Sequence, residues 1–485
     1  MKLICYALAC IVFTSCGVIA QDAPFQATGF KVGEVTDTTA IVWTRLTKRE
    51  QRNPADGPNV TIEYAKSEEK ADRRGRTVSA VVFENGIGVD DIRMAVPGVD
   101  GDVRVLFKSH SGSDWNETSW QPVNLFGDFT RQFTLTDLQP ETRYDVKIES
   151  RTPQHQLGQT LDGEFQTAPA ADSGTRVVFT VSTCHGDNDQ DRPDGFNIFP
   201  EMLKLDPNFY VHAGDIVYYD GLAKTVDLAR YHWQRAYSWP TNVEFHRHVS
   251  SYFIKDDHDT WHNDCWPSMD SPFMHEFTFR QGQAIFLEQV PMGERTWRTR
   301  RWGKDLQIWL VEGRDFRSPN TDPDGPDKTI WGKEQKEWFK KSLEQSDATF
   351  KILISPTPVV GPDRPMKKDN HSNAGFAYEG AEIRSLLASY KNTYVICGDR
   401  HWQYASVDPK TKLHEYSVGP ASDEHAGGWK SEDFIPEYHR YMKVIGGFLS
   451  VTIDHENKNK NKNPVITFRH HNVNGKVVNE DRITE

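Results

Sequence analysis

Four apolar runs in this chain each end in a clump of acids, histidines or cysteine. They are residues 177–184 (VVFTVSTC, then HGDND), 209–215 (FYVHAGD, then IVYYD), 253–259 (FIKDDHD) and 394–401 (YVICGDRH). A strand that is apolar throughout is buried on both faces, so its first polar residues emerge where it leaves the sheet. Open α/β sheets bind ligands and metals at that carboxyl edge. The pattern therefore predicts that residues as distant as Asp215, Asp257 and His401 meet at the edge of one sheet.

Around these runs the chain divides by composition. Residues 22–170 read as an all-β region, because AIVWTR at 40–45 and VTIEY at 60–64 alternate with period two, and 131–148 reads as strand, turn, strand. A polar stretch at about 66–120 interrupts it as an irregular insertion. APAADSG at 168–174 is the linker. From 175 to 485, strand runs alternate with helical spacing at 196–205, 226–237, 275–289, 333–345 and 381–390, which predicts a layered α/β architecture. Two runs at 447–454 and 464–470 flank KNKNKN, a hairpin added to the sheet's edge.

A length of 485 residues exceeds one ordinary core. The net charge of −12 argues against a nucleic-acid partner, which needs basic surface. The N-terminus reads as an export signal: Lys2, an apolar stretch at 3–12, then small residues to Ala20, with cleavage before Gln21. The protein is thus expected to be secreted or periplasmic, or lipid-anchored through Cys16 if FTSC serves as a lipoprotein box. No later segment is apolar for the ~20 residues a membrane span requires. Removal of the signal leaves Cys184, Cys265 and Cys397, an odd number, so at least one thiol is unpaired or acts as a ligand.

The strand-end clumps carry the chemistry. Asp215, preceded by Gly214, is placed to bridge two cations, and Tyr218 follows one helical turn later as either a ligand or a packing aromatic. Asp256, Asp257 and Asp259 surround His258, and such carboxylates repel unless cations or arginines neutralise them. His258 then protonates a leaving oxygen or donates to charge growing on phosphorus oxygens. Asp399 and His401, two apart in an extended segment, point the same way and can each ligate a metal. Cys184 is a soft ligand, which with a phenolate suits iron better than calcium, or else a small buried hydrophobe. Arg314 and Arg317 serve either phosphate recognition or charge balance for the acids. His425 is a weaker candidate to touch substrate.

Taken together, S-x-C (Ser182, Cys184), GD-x-x-Y (Asp215, Tyr218), DDH-D (Asp256 to Asp259), R-x-x-R (Arg314, Arg317) and GD-x-HW (Asp399, His401, Trp402) resemble the alkaline phosphatase D, or PhoD-like, branch of the calcineurin-like metallophosphoesterases. The L-x-P-x-T-x-Y arrangement from Leu138 to Tyr144 resembles a fibronectin type III domain. The chain departs from the general superfamily pattern: Ser182 and Cys184 stand where D-x-H is usual, Asp257 replaces Asn, Asp399 replaces a His, and Ser355 stands where a lone His is expected.

The resemblance implies a metallophosphoesterase sandwich behind an N-terminal fibronectin-like domain. It also implies iron held by Cys184, Asp215 and Tyr218, with calcium or another hard cation on the acid-rich side. A zinc or manganese pair is the alternative. The expected reaction is hydrolysis of a small-molecule or polymer-linked phosphoester by in-line attack of a metal-activated hydroxide. Monoester, diester and phospholipase D-type activities are not separable at this point. A non-catalytic exported protein that binds glycans or partners is the competing class.

Overall fold

Burial on both faces explains the apolar runs. The computed structural model describes residues 23–66, 76–186, 188–458 and 461–484. In it Val177–Ser182, Phe209–Ala213 and Ser251–Ile254 lie side by side as parallel strands with every residue buried. The fourth run, Thr393–Cys397, belongs to a second sheet. Where the apolar runs alone suggested one sheet, there are two stacked sheets, of nine and seven strands, as in the sandwich the resemblance implies. Periodicity cannot distinguish these cases, since strands of either sheet are covered on both sides.

The inner faces share one core, with Val177, Phe179, Val181 and Val211 on one side and Ile308, Leu310, Ile352 and Ile354 on the other. Alternate residues face helices. Tyr210 packs with Phe199 and Phe245 from Ile198–Leu203 and Pro240–His248. Trp309, Leu353 and Val395 pack with Phe339 and Ile383 from Gly332–Glu344 and Ala377–Ala388. Val226–Tyr237, capped by Thr225, and Phe279–Gln289, opened by a Thr278–Gln281 capping box, enclose Phe253 and Trp261 in a further cluster.

The C-terminal hairpin, Gly447–Lys458 with Asn461–Asn472, pairs along Val177–Ser182, and Val477–Thr484 adds the outermost strand. The opposite flank of the same sheet comes from the N-terminal region: Phe30–Gly33 pairs in parallel with Ser251–Ile254, followed by Ala40–Arg45 and Thr130–Leu135. The rest of that region forms a five-stranded sheet around Arg143–Arg151 and a separate two-stranded one. The Tyr144 hydroxyl there accepts the Gln139 N–H at 2.8 Å, a tyrosine corner that ties the turn to the strand.

The stretch read as an irregular insertion supplies two long strands. Arg76–Phe83 pairs with Val60–Lys66, and Asp102–Ser109 pairs with Arg143–Arg151. Val103 and Val105 are wholly buried, while Arg104 on the other face pairs with Glu117 and Glu149, so charge hid the alternation. The export signal and Cys16 lie outside the described residues. Among the described residues, no helix is long and apolar enough to cross a membrane.

Candidate metal centre

The clumps converge from both sheets. Ligand atoms of Cys184, Asp215 and His401 lie within 4.8 Å of one another, as do those of Asp215, Asp257 and His258, and those of Asp215, Asp256 and Asp399. Asp215 belongs to all three groups. Cys184, Asp215 and Asp399 each follow a strand end with φ of 54°, 57° and 62°. Left-handed backbone costs a non-glycine residue ~1–3 kcal/mol and concentrates at functional sites. Close approach of the two sheets also explains Gly398: a Cβ there would sit 2.4 Å from the Ala213 carbonyl oxygen and 2.7 Å from Thr183 Oγ1.

Inside the cluster the acids are poorly satisfied. The Cys184 thiol and the Tyr218 hydroxyl each donate to Asp215 Oδ2 at 3.4 Å, and Asp215 Oδ1 is buried with no partner. Asp256 Oδ2 and Asp257 Oδ1 are likewise buried without hydrogen bonds. Burial, with Asp257, Asp256 and Asp259 nearby, pushes the Asp215 carboxyl well above the usual range despite the charge on His258. Burial and Asp215 push the Cys184 thiol and the Tyr218 phenol up in the same way. Such groups ionise only when a cation joins them. The donor set of thiol, phenol, imidazole and crowded carboxylates therefore fits metal ions.

Each flanking residue has a definite anchor. Asp220 accepts from His258 Nδ1 at 2.5 Å and from the Asn263 N–H at 3.0 Å. Burial opposes a charged His258, but Asp220, Asp257 and Asp215 outweigh it and hold the imidazole protonated well above its ordinary pKa. Burial and then His425 and Arg400 drive His401 down to about 2, leaving the neutral imidazole that ligates metals. Asp259 accepts the Ile216 N–H at 3.0 Å and the Asp256 N–H at 2.6 Å, so it shapes the turn rather than joining the cluster.

Arg314 is fully buried. Its Nε donates to Asp256 at 2.5 Å and its Nη2 lies 3.6 Å from Asp257, while Nη1 and Nη2 lack hydrogen-bond partners. Arg317, also buried, donates to the Asp369 carbonyl at 2.6 Å and to Asn320 at 2.8 Å. Arg314 therefore supplies charge to Asp256 and Asp257, while Arg317 is held by a backbone carbonyl and an amide. Cys265 and Cys397 are buried free thiols like Cys184, but neither belongs to a ligand group.

Several contributors escaped the reading of the sequence or carried little weight in it. His425, already a weaker candidate from sequence, joins Tyr218 at 2.9 Å and Asp189 at 2.5 Å and so stands against a ligand candidate. Arg400 pairs with Asp363 at 2.8 Å and contacts Asp399. Lys367 pairs with Asp264 at 2.9 Å and Asp369 at 3.3 Å. Residues 363–369 (DRPMKKD) contain no apolar run, so no strand-end pattern marked them.

Two stacked sheets flanked by helices, with this centre across their strand ends, define a metallophosphoesterase. The structure matches "Structure of PhoD" with a TM-score of 0.70 at 14% identity, covering 96% of this chain and 90% of that one. It also matches the purple acid phosphatase PPD1 from yellow lupin seeds with a TM-score of 0.60 at 12% identity, covering 95% and 74%. Residues 179–478 match the family model of PhoD-like phosphatases, and the chain belongs to that family. No curated protein matches it.

Proposed function

We propose that this PhoD-like phosphatase is an exported hydrolase of phosphomonoesters and phosphodiesters. Iron would be held by Cys184, Asp215 and Tyr218, with His401 in the same ligand group, and calcium or another hard cation would sit on the acid-rich side of Asp215, Asp256, Asp257 and Asp399. The observation that carries this reading is the threefold sharing of Asp215 among the ligand groups. A thiolate and a phenolate beside one carboxylate suit iron, and clustered carboxylates suit calcium. When bound, the metals supply an activated water and offset charge on the phosphoryl oxygens.

The protein's own residues set the remaining chemistry. Asp220 occupies Nδ1 of His258 and so leaves Nε2 as the nitrogen that gives its proton to the leaving oxygen. Arg314 lets Asp256 and Asp257 stand side by side by supplying a fixed positive charge to both. Arg317 adds positive charge near Arg314 and braces the loop at Asp369.

The test is metal content by mass spectrometry, with turnover of p-nitrophenyl phosphate and bis-p-nitrophenyl phosphate on the same sample, before and after chelation. Iron with calcium and chelator-sensitive turnover is expected, and the ratio of rates ranks monoester against diester. Zinc or manganese with turnover would remove the iron assignment of Cys184 and Tyr218. No metal and no turnover after adding iron and calcium would overturn the reading.

A further inference from the structure

The sequence offers Arg314 and Arg317 either for phosphate recognition or for charge balance, and both lie in the interior. Arg314, Arg317 and Arg400 are almost wholly buried and face acids or carbonyls. The accessible side of the centre is formed by partly exposed residues, among them His258, Asp399, His401 and His425. Two further cations border it from the 363–369 loop. Lys367 is engaged by Asp264 and Asp369. Arg364 is different. Its side chain is 37% exposed, its one ion contact among the described residues is Asp363 at 3.6 Å, and Asp363 already takes two hydrogen bonds from Arg400.

Arg364 is also fixed in place beside a ligand candidate. Its guanidinium lies 5.5 Å from the Trp402 ring centroid, next in sequence to His401. Gly428 (φ +83°) abuts both side chains: a Cβ there would come within 3.1 Å of Arg364 Nη1 and 3.5 Å of the Trp402 ring. Gly427, the preceding residue, donates its N–H to the His401 carbonyl at 2.9 Å. A guanidinium set beside an indole and a bare glycine, with little carboxylate pairing, is preorganised for an anion.

We infer that Arg364 is a substrate-binding residue whose guanidinium takes the non-bridging oxygens of the phosphoryl group, favouring dianionic monoesters over monoanionic diesters. The inference rests on the phosphoesterase reading above. The experiment compares wild type, Arg364→Ala and Arg364→Lys in steady-state kinetics on p-nitrophenyl phosphate and bis-p-nitrophenyl phosphate. Calorimetric binding of inorganic phosphate, metal content and melting temperature are read on the same samples. Losing a charge-assisted hydrogen-bond pair should raise KM for the monoester and weaken phosphate binding by ~10-fold or more. The diester KM should change less, lysine should recover part of the loss, and metal content and melting should hold. Equal KM values in all three proteins would overturn the inference, as would a KM rise accompanied by metal loss. If wild type turns over neither ester, the phosphoesterase reading fails separately. Phosphate binding then still decides Arg364: weaker binding in the alanine variant supports it, and equal or absent binding overturns it.

Discussion

Two buried carboxylates in this molecule show opposite states. Glu415, on a strand of the second sheet, accepts N–H groups from Val359, Val360 and Gly361 at 2.7, 2.9 and 2.7 Å and the Tyr404 hydroxyl at 2.8 Å. Asp215 receives only a thiol and a phenol at 3.4 Å on one oxygen and nothing on the other. Both are equally hidden from water. Glu415 is complete without further partners and holds the loop that carries Asp363. Asp215 is incomplete, and a buried, unpaired carboxylate is costly until a cation reaches it. Burial alone therefore does not separate a structural acid from a ligand; the count of unmet oxygens does.

The sharpest way to break this contrast is Asp215→Asn. The expected result is a ~10³-fold or greater loss of turnover with loss of bound metal, since metals contribute several kcal/mol to such transition states. The melting temperature of the metal-free protein should hold or rise, because a repelled carboxyl has been removed. Glu415→Ala should do the reverse. Three stranded N–H groups are expected to lower stability by about 3 kcal/mol or more in urea unfolding, with metal content per folded molecule unchanged.

Glu379 extends the comparison through pH. It accepts from His371 at 2.9 Å, from the Ile330 N–H at 2.5 Å and from Thr329. Burial favours its protonated form, yet these bonds prevail and hold it at about 2 against an ordinary 4.5. A depressed carboxyl stabilises the fold fully above the unfolded value and loses that contribution as pH falls toward the folded one. The stability gap between wild type and Glu379→Gln should thus shrink by about 3 kcal/mol from pH ~5 down to ~2 in denaturant titrations. The smallest effect is expected at Asp220→Asn, which frees His258 and should lower kcat ~10–100-fold with metal content intact. Metal loss in that variant would recast His258 as a ligand.

Much of the frame was legible because double-sided burial writes itself as continuous apolar runs, and Val226–Tyr237 matches its expected span. Other elements hid for physical reasons. Pro240–His248 buries Asn242 and His246 instead of an apolar stripe. Arg298–Trp302 and His439–Lys443 are edge strands, and edges are polar. The acids and histidines of the centre were visible since each follows a buried run. Arg364, Lys367 and Asp363 were not, because a loop residue acquires its role only from partners such as Trp402, Asp264 and Arg400, which lie far off in sequence.

The strand Phe30–Gly33 carries one more consequence. Just beyond it Glu34 forms ion pairs with Arg298 at 2.6 Å and with Arg300, and the Val35 carbonyl accepts the Tyr252 hydroxyl at 2.5 Å. A gene fragment beginning after the linker would encode a body with a raw sheet margin and a stranded guanidinium in its interior. The leading region is therefore no detachable bead on a string. Swapping it between relatives, or trimming it for convenience, changes the solubility and integrity of the half that holds the metal ligands.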